Sequence, residues 1–174
     1  MHRRRIRLWG SLAVAFLAAV SLCTGCGHRP KTGKVRSQER LSRLPATHCS
    51  ALCGPVALAA ACRQMGMTIS VEELAELAGT DEAGTSMYGL AKAAEALGLE
   101  PIGLELSYQE LTELPTPVIV HMGPKGAGHF EALGAAKENR VLILDLNSQR
   151  WQPADEFKSR WSGYVLQLKK ESAE

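Results

Sequence analysis

The stretch Cys53-Gly-Pro-Val-Ala-Leu-Ala-Ala-Ala-Cys-Arg-Gln-Met65, stopped by Gly66, decides how the chain is read. Pro55 stands in the first helical turn, where its missing N–H needs no intrahelical partner. From Val56 to Met65 only Arg63 and Gln64 are polar. A helix that is apolar nearly all round belongs inside a domain, so this segment is expected to be the central helix. Cys53 opens it. Unpaired N–H groups and the helix dipole favour an anion at that end, so a thiolate there is stabilised. Such a thiol becomes a nucleophile if a base reaches it.

Downstream, Ser70-Val-Glu-Glu73 reads as a capping box for a helix through Leu74 and Leu77, closed by Gly79. Thr85 or Ser86 caps the next, with Leu90, Ala94 and Leu97 on one face and Gly98 as its stop. Ile102 to Leu106 alternates like a strand, and Ser107-Tyr-Gln-Glu110 opens a short helix over Tyr108–Leu114. From Pro117 the texture changes. Val118–His121, His129–Leu133 and Val141–Asp145 read as three strands joined by turn residues. Asp155–Trp161 is expected as a short helix, and Tyr164–Leu168 as a closing strand. Helices followed by a meander of strands indicate an α+β fold with a mostly antiparallel sheet.

Upstream, the chain is of another kind. Arg3, Arg4, Arg5 and Arg7 precede an apolar run from Leu8 to Leu22, which fits a secretory signal and is short for a membrane span. The run ends in Leu22-Cys-Thr-Gly-Cys26, which resembles a lipobox, with Cys26 as the lipidated residue. An uncleaved N-terminal anchor and simple secretion are the other readings. All three place the domain outside the cytoplasm, and the first two hold it at a membrane surface of the cell envelope. Residues 27–44, rich in Lys, Arg, Ser and Gly, read as a tether. The folded domain is expected over residues 45–170.

The whole chain of 174 residues has 45% apolar and 22% charged residues and a net charge of +2. Residues 1–26 alone carry +4, and the remaining 16 bases face 18 acids. A weakly acidic domain without a basic patch argues against nucleic acid as a partner. Its 5% aromatic content also leaves little on which to stack bases.

Of five histidines, His2 lies in the signal and His28 in the tether, which leaves His48, His121 and His129. His129 begins a strand directly after Gly126-Ala-Gly128. Asp145 ends the next strand, and antiparallel neighbours can bring such positions side by side. Cys53, His129 and Asp145 are therefore a candidate nucleophile, base and orienting acid. The segments Cys53-Gly-Pro-Val-Ala-Leu58, Gly126-Ala-Gly-His-Phe-Glu-Ala-Leu133, Leu144-Asp145 and Phe157-Lys-Ser-Arg-Trp-Ser-Gly163 resemble the bacteriocin-processing cysteine peptidase family. Those are papain-like domains that cut after double-glycine leaders. The resemblance spans roughly residues 45 to 168 and maps Cys53 to the nucleophile, His129 to the general base and Asp145 to its orienter. The chain departs from that pattern at two positions. Thr47 stands where the family has a Gln that donates to the oxyanion, and Leu52 where it commonly has Asp. His48, beside Thr47, is a candidate replacement donor.

Other groups have plainer readings. His48-Cys49-x3-Cys53 supplies only one tight Cys/His pair where zinc sites more often use two, so neither a metal nor any other cofactor is expected. Cys49 is positioned to pair with Cys53 or Cys62. Cys53 and Cys62 cannot pair on one helix, because nine residues separate them by about 13 Å. Cys62 reads as a small core hydrophobe, His121 as a satisfied histidine at a strand edge, and Trp151 and Trp161 as packing residues. The expected function is a cysteine peptidase at the cell envelope acting on a peptide or protein. A non-catalytic peptide-binding lipoprotein and a transferase using the same thiol are the alternatives. The chain carries no Walker-type Gly-x4-Gly-Lys-Ser/Thr motif, so coupling to export would call for a separate exporter.

Overall fold

A computed structural model describes residues 51–123 and 128–170. The expected signal, the tether, Cys26, His48 and Cys49 lie outside the described residues.

The apolar helix is α1, Cys53–Gln64, and it is buried along most of its length, with Leu58, Ala61 and Cys62 fully so. Its N-terminus has no side-chain cap; Leu52 supplies the first carbonyl, accepting from Val56 N–H at 2.9 Å. Helix α2, Val71–Leu77, is capped by Ser70, which accepts from Glu73 N–H at 3.2 Å. Helix α3, Met87–Ala96, is capped by Ser86 and not by Thr85. Thr85 is engaged elsewhere, with Thr80 Oγ1 and the Ala51 carbonyl. A methyl group on Gly89 would overlap the Ala78 carbonyl, so the first turn of α3 rests directly on the end of α2.

The remaining elements are β1 (Leu99–Glu105), α4 (Tyr108–Thr112), β2 (Val118–Met122), β3 (His129–Lys137), β4 (Arg140–Leu144), β5 (Gln149–Pro153), α5 (Ala154–Arg160) and β6 (Trp161–Lys170). They form one six-stranded sheet in the order β1-β6-β2-β3-β4-β5, antiparallel throughout. The α+β architecture with an antiparallel sheet is thus as expected. Ser107 and Glu110 complete the capping box of α4 reciprocally.

Apolar residues cover both faces of the sheet. One face carries Ile119, Phe130, Ala132, Leu144 and Leu166 against α1, α2 and α3. The other carries Val118, Val120, Leu133, Val141 and Val165 against Leu111 of α4 and Phe157 of α5. This two-sided burial explains why Val118-Ile-Val120 is apolar without alternation: β2 lies inside the sheet and needs apolar residues on both sides.

Several expected boundaries move. β1 starts three residues earlier than Ile102, and β6 runs from Trp161, so it closes the sheet over ten residues. Strand β5 was not expected at all. Its pattern is exposed except for Gln152, so neither alternation nor an apolar run marks it. It is held by its register with β4, where Leu142 faces Trp151.

Candidate active site

The thiol of Cys53 sits at the first position of α1 with 8% exposure, and His129 at the first position of β3. Helix and strand bring together two groups 76 positions apart in the sequence. The thiol and the imidazole lie within interaction range, and each shifts the titration of the other. Burial pushes the Cys53 thiol up from its ordinary 9.0, yet the balance falls below it. The His129 hydrogen bond, the backbone N–H groups of Phe130 and Gly54, and the His129 charge outweigh the burial. His129 moves the opposite way. The Cys53 hydrogen bond raises it above 6.5, burial opposes this, the charges of Cys53 and Glu131 add to the rise, and Arg160 works against it. The two values converge, which lowers the cost of passing a proton from sulfur to nitrogen.

Asp145 follows the last residue of β4 and lines the same cleft of about 210 Å³ as Cys53 and His129. The register pairs Ala132 with Leu144, so one step on Asp145 comes alongside Glu131, two residues from His129. Asp145 Oδ1 accepts from Leu146 N–H at 2.8 Å, and its backbone N–H donates to the Ser148 carbonyl. The carboxylate at ion-pair distance from His129 Nε2 belongs to Glu131, whose Oε1 lies 3.9 Å away. Glu131 escaped the reading of the sequence, although an acid two residues from a histidine in a strand shares its face.

The turn that carries Asp145 is tied to α1. Arg63, in the last turn of α1, donates through Nη1 to the Leu146 carbonyl and to Asn147 Oδ1. On the other side of the thiol, a second cavity of about 680 Å³ is lined by Cys53, Phe130, His121, Gly128 and the acidic loop with Asp81 and Glu82. Cys53 and Phe130 line both cavities.

His121 is satisfied, as expected, but not at an edge: β2 lies between β6 and β3. Ser162 Oγ donates its hydrogen to the His121 carbonyl at 2.8 Å. It therefore accepts from His121 Nδ1–H at 2.9 Å, which leaves Nε2 as a bare acceptor against Gly128. Burial lowers the His121 pKa and favours this neutral form. Cys62 is fully buried, and burial alone pushes its thiol up to about 11. It and Cys53 are free thiols. Trp161 packs as expected, stacked 5.5 Å from Phe157. Trp151 does not: it is 44% exposed on β5, flanked by Arg140 and Lys137.

A thiol on a buried helix and an imidazole on the adjoining antiparallel sheet define the class of papain-like cysteine peptidase folds. Comparison with known proteins narrows the class. A family model described as the Peptidase C39 family matches residues 46–173. An uncharacterized protein of Methanothermobacter thermautotrophicus is 39% identical over 115 residues, 66% of this chain and 79% of its own length. The lactococcin-G-processing and transport ATP-binding protein LagD of Lactococcus lactis is 30% identical over 66% of this chain but only 17% of its own length. Among solved structures, the peptidase domain of Streptococcus ComA, a bi-functional ABC transporter involved in a quorum sensing pathway, superposes with a TM-score of 0.62. It is 27% identical over 70% of this chain and 93% of that one. A double glycine motif protease from an AMS/PCAT transporter, solved with its leader peptide, gives a TM-score of 0.63 at 26% identity, over 71% and 88% of the two chains. This chain belongs to the Peptidase C39 family.

Proposed function

We propose that the protein is an active cysteine peptidase that cuts a leader-type peptide or a protein at the cell envelope. The observation that carries the reading is the placing of Cys53 and His129 in one cleft, with the thiol below and the imidazole above their ordinary values. In the reaction His129 accepts the Cys53 proton, and the thiolate attacks the scissile carbonyl carbon. The tetrahedral intermediate collapses to a thioester as His129 protonates the departing amine. A water, deprotonated by His129, then attacks the thioester, releases the carboxylate product and restores the thiol. Asp145, on the rim of the same cleft, stands at the position where the family resemblance implies an orienting acid. No cofactor takes part.

The oxyanion is the weak point of the site. Thr47 stands where a Gln donor is expected, and the loss of such a donor costs about 2.7–4 kcal/mol of transition-state stabilisation. His48, next in the chain, is assigned this task, together with backbone N–H groups at the start of α1. The peptide substrate follows from the leader-peptide complex and the bacteriocin-processing function of the relatives. A separate exporter chain would couple cleavage to transport. Membrane attachment is assigned to a lipid on Cys26 or to the N-terminal segment itself.

Labelling with iodoacetamide across pH tests the site. Wild type should label at Cys53 at a pH below the range of a free thiol, and His129→Ala should not. Equal labelling of the two at that pH would sink the base assignment. It would favour the second reading, a non-catalytic peptide-binding lipoprotein, which the Thr47 substitution supports.

A further inference from the structure

Glu131 is an anomaly in its strand. Its neighbours Phe130, Ala132 and Leu133 are buried and apolar, and Glu131 itself is 9% exposed. A buried acid is costly unless its oxygens are partnered, yet Oε2 has no hydrogen-bond partner. Only Oε1 is engaged. It lies 3.9 Å from His129 Nε2 and 3.7 Å from Arg150 Nη2. Arg150 in turn donates through Nη1 to Gln152 Oε1 at 3.0 Å. A polar chain therefore runs His129–Glu131–Arg150–Gln152 along β3 and β5, and three of its four members are absent from the triad that the family resemblance implies.

We propose that Glu131 is the positioning residue of His129: its carboxylate holds the Nε2 side of the imidazole, with Arg150 as its brace, and so sets the ring toward Cys53. This rests on the thiol–imidazole reading of the site and adds a member to it. Residues 129 and 131 project to the same face of a strand, so β3 itself aims the acid at the ring. At 3.9 Å the contact is an ion pair and not a hydrogen bond, and contacts of this kind tighten when a substrate closes the site. Asp145 is exposed and already accepts from Leu146 N–H. When the imidazole takes the thiol proton, the Glu131 charge opposes the repulsion of the new cation by Arg160. The charged or titratable groups placed around His129 by the described elements are Cys53 of α1, Glu131 of β3, Asp145 after β4, Arg150 of β5 and Arg160 of α5.

The test is the titration of the His129 ring protons by NMR in the whole chain, in detergent micelles, for wild type, Glu131→Gln, Asp145→Asn and Arg150→Met. Glu131→Gln should lower the His129 midpoint by about one pH unit and shift the pH profile of Cys53 labelling with it. Glu131→Asp should restore part of the loss. Asp145→Asn should move the midpoint less than Glu131→Gln does. A Glu131→Gln titration that overlays wild type, or a larger effect from Asp145→Asn, overturns the proposal. If Glu131→Gln fails to fold, Arg150→Met decides, because that side chain is 60% exposed. Loss of the brace should slacken the hold of Glu131 and lower the midpoint, and an unmoved or raised midpoint counts against the proposal. The titration needs no turnover. A chain that cleaves nothing yet titrates as expected refutes the peptidase reading and leaves Glu131 in place.

Discussion

At the scale of single residues, two free thiols on one helix have opposite chemistry. Cys53 is held below its ordinary value by His129 and backbone N–H groups, while Cys62 is pushed up to about 11 by burial alone. Near-neutral alkylation of the folded chain should therefore modify Cys53 at least about tenfold faster than Cys62, as mass spectrometry of the digest would read. Comparable rates would mean that the thiol is not activated. The pH dependence of cleavage follows from the same pair. A lowered thiol extends the thiolate–imidazolium form to lower pH, and a raised imidazole extends it to higher pH. A plot of kcat/KM against pH should thus be a bell wider than the free groups allow, and His129→Ala should lose its alkaline limb. Gly128 supplies a steric case. A methyl there would overlap His121 Nε2, so Gly128→Ala should cost about 1–3 kcal/mol in a denaturant melt. A Cys53 labelling profile unchanged in that variant would show that the displacement does not spread to the neighbouring His129.

At the scale of elements, legibility followed burial. Helix α1 was readable because an apolar segment with Pro in its first turn and Gly past its end has one good solution. The capping serines at 70, 86 and 107 marked three more starts, as the structure bears out. Strand β5 was not readable, because an exposed edge strand owes its existence to the neighbour it pairs with and not to its own pattern. Glu131 was hidden for a related reason: its meaning comes from Arg150, a residue of that unforeseen strand. The cost of disrupting each element follows its burial. Leu58→Ala, at a fully buried position of α1, should lower unfolding stability by about 2–5 kcal/mol. Ser107→Ala should cost about 0.5–2 kcal/mol through the lost cap of α4. A Leu58 variant that melts like wild type would remove α1 from the centre of the domain.

At the scale of the molecule, the domain is one sheet with helices on both faces, and the site lies where the start of α1 meets the start of β3, inside the sheet. Among the described residues no helix is long and apolar enough to cross a membrane. Under the proposed lipidation of Cys26, Cys26→Ser should abolish incorporation of radiolabelled palmitate into the chain. Incorporation that persists would move the lipid to another residue or rule out the lipobox. One property of α1 reaches beyond any single contact. Ala57, Ala59, Ala60 and Ala61 are all buried there, so a run of methyl groups serves as the spacer between α1 and its surroundings. Alanine is the smallest side chain that still favours a helix, which leaves no slack on one side and room for adjustment on the other. Valine at any one of these positions adds two methyl groups to a packed helix and should cost about 1–3 kcal/mol of stability.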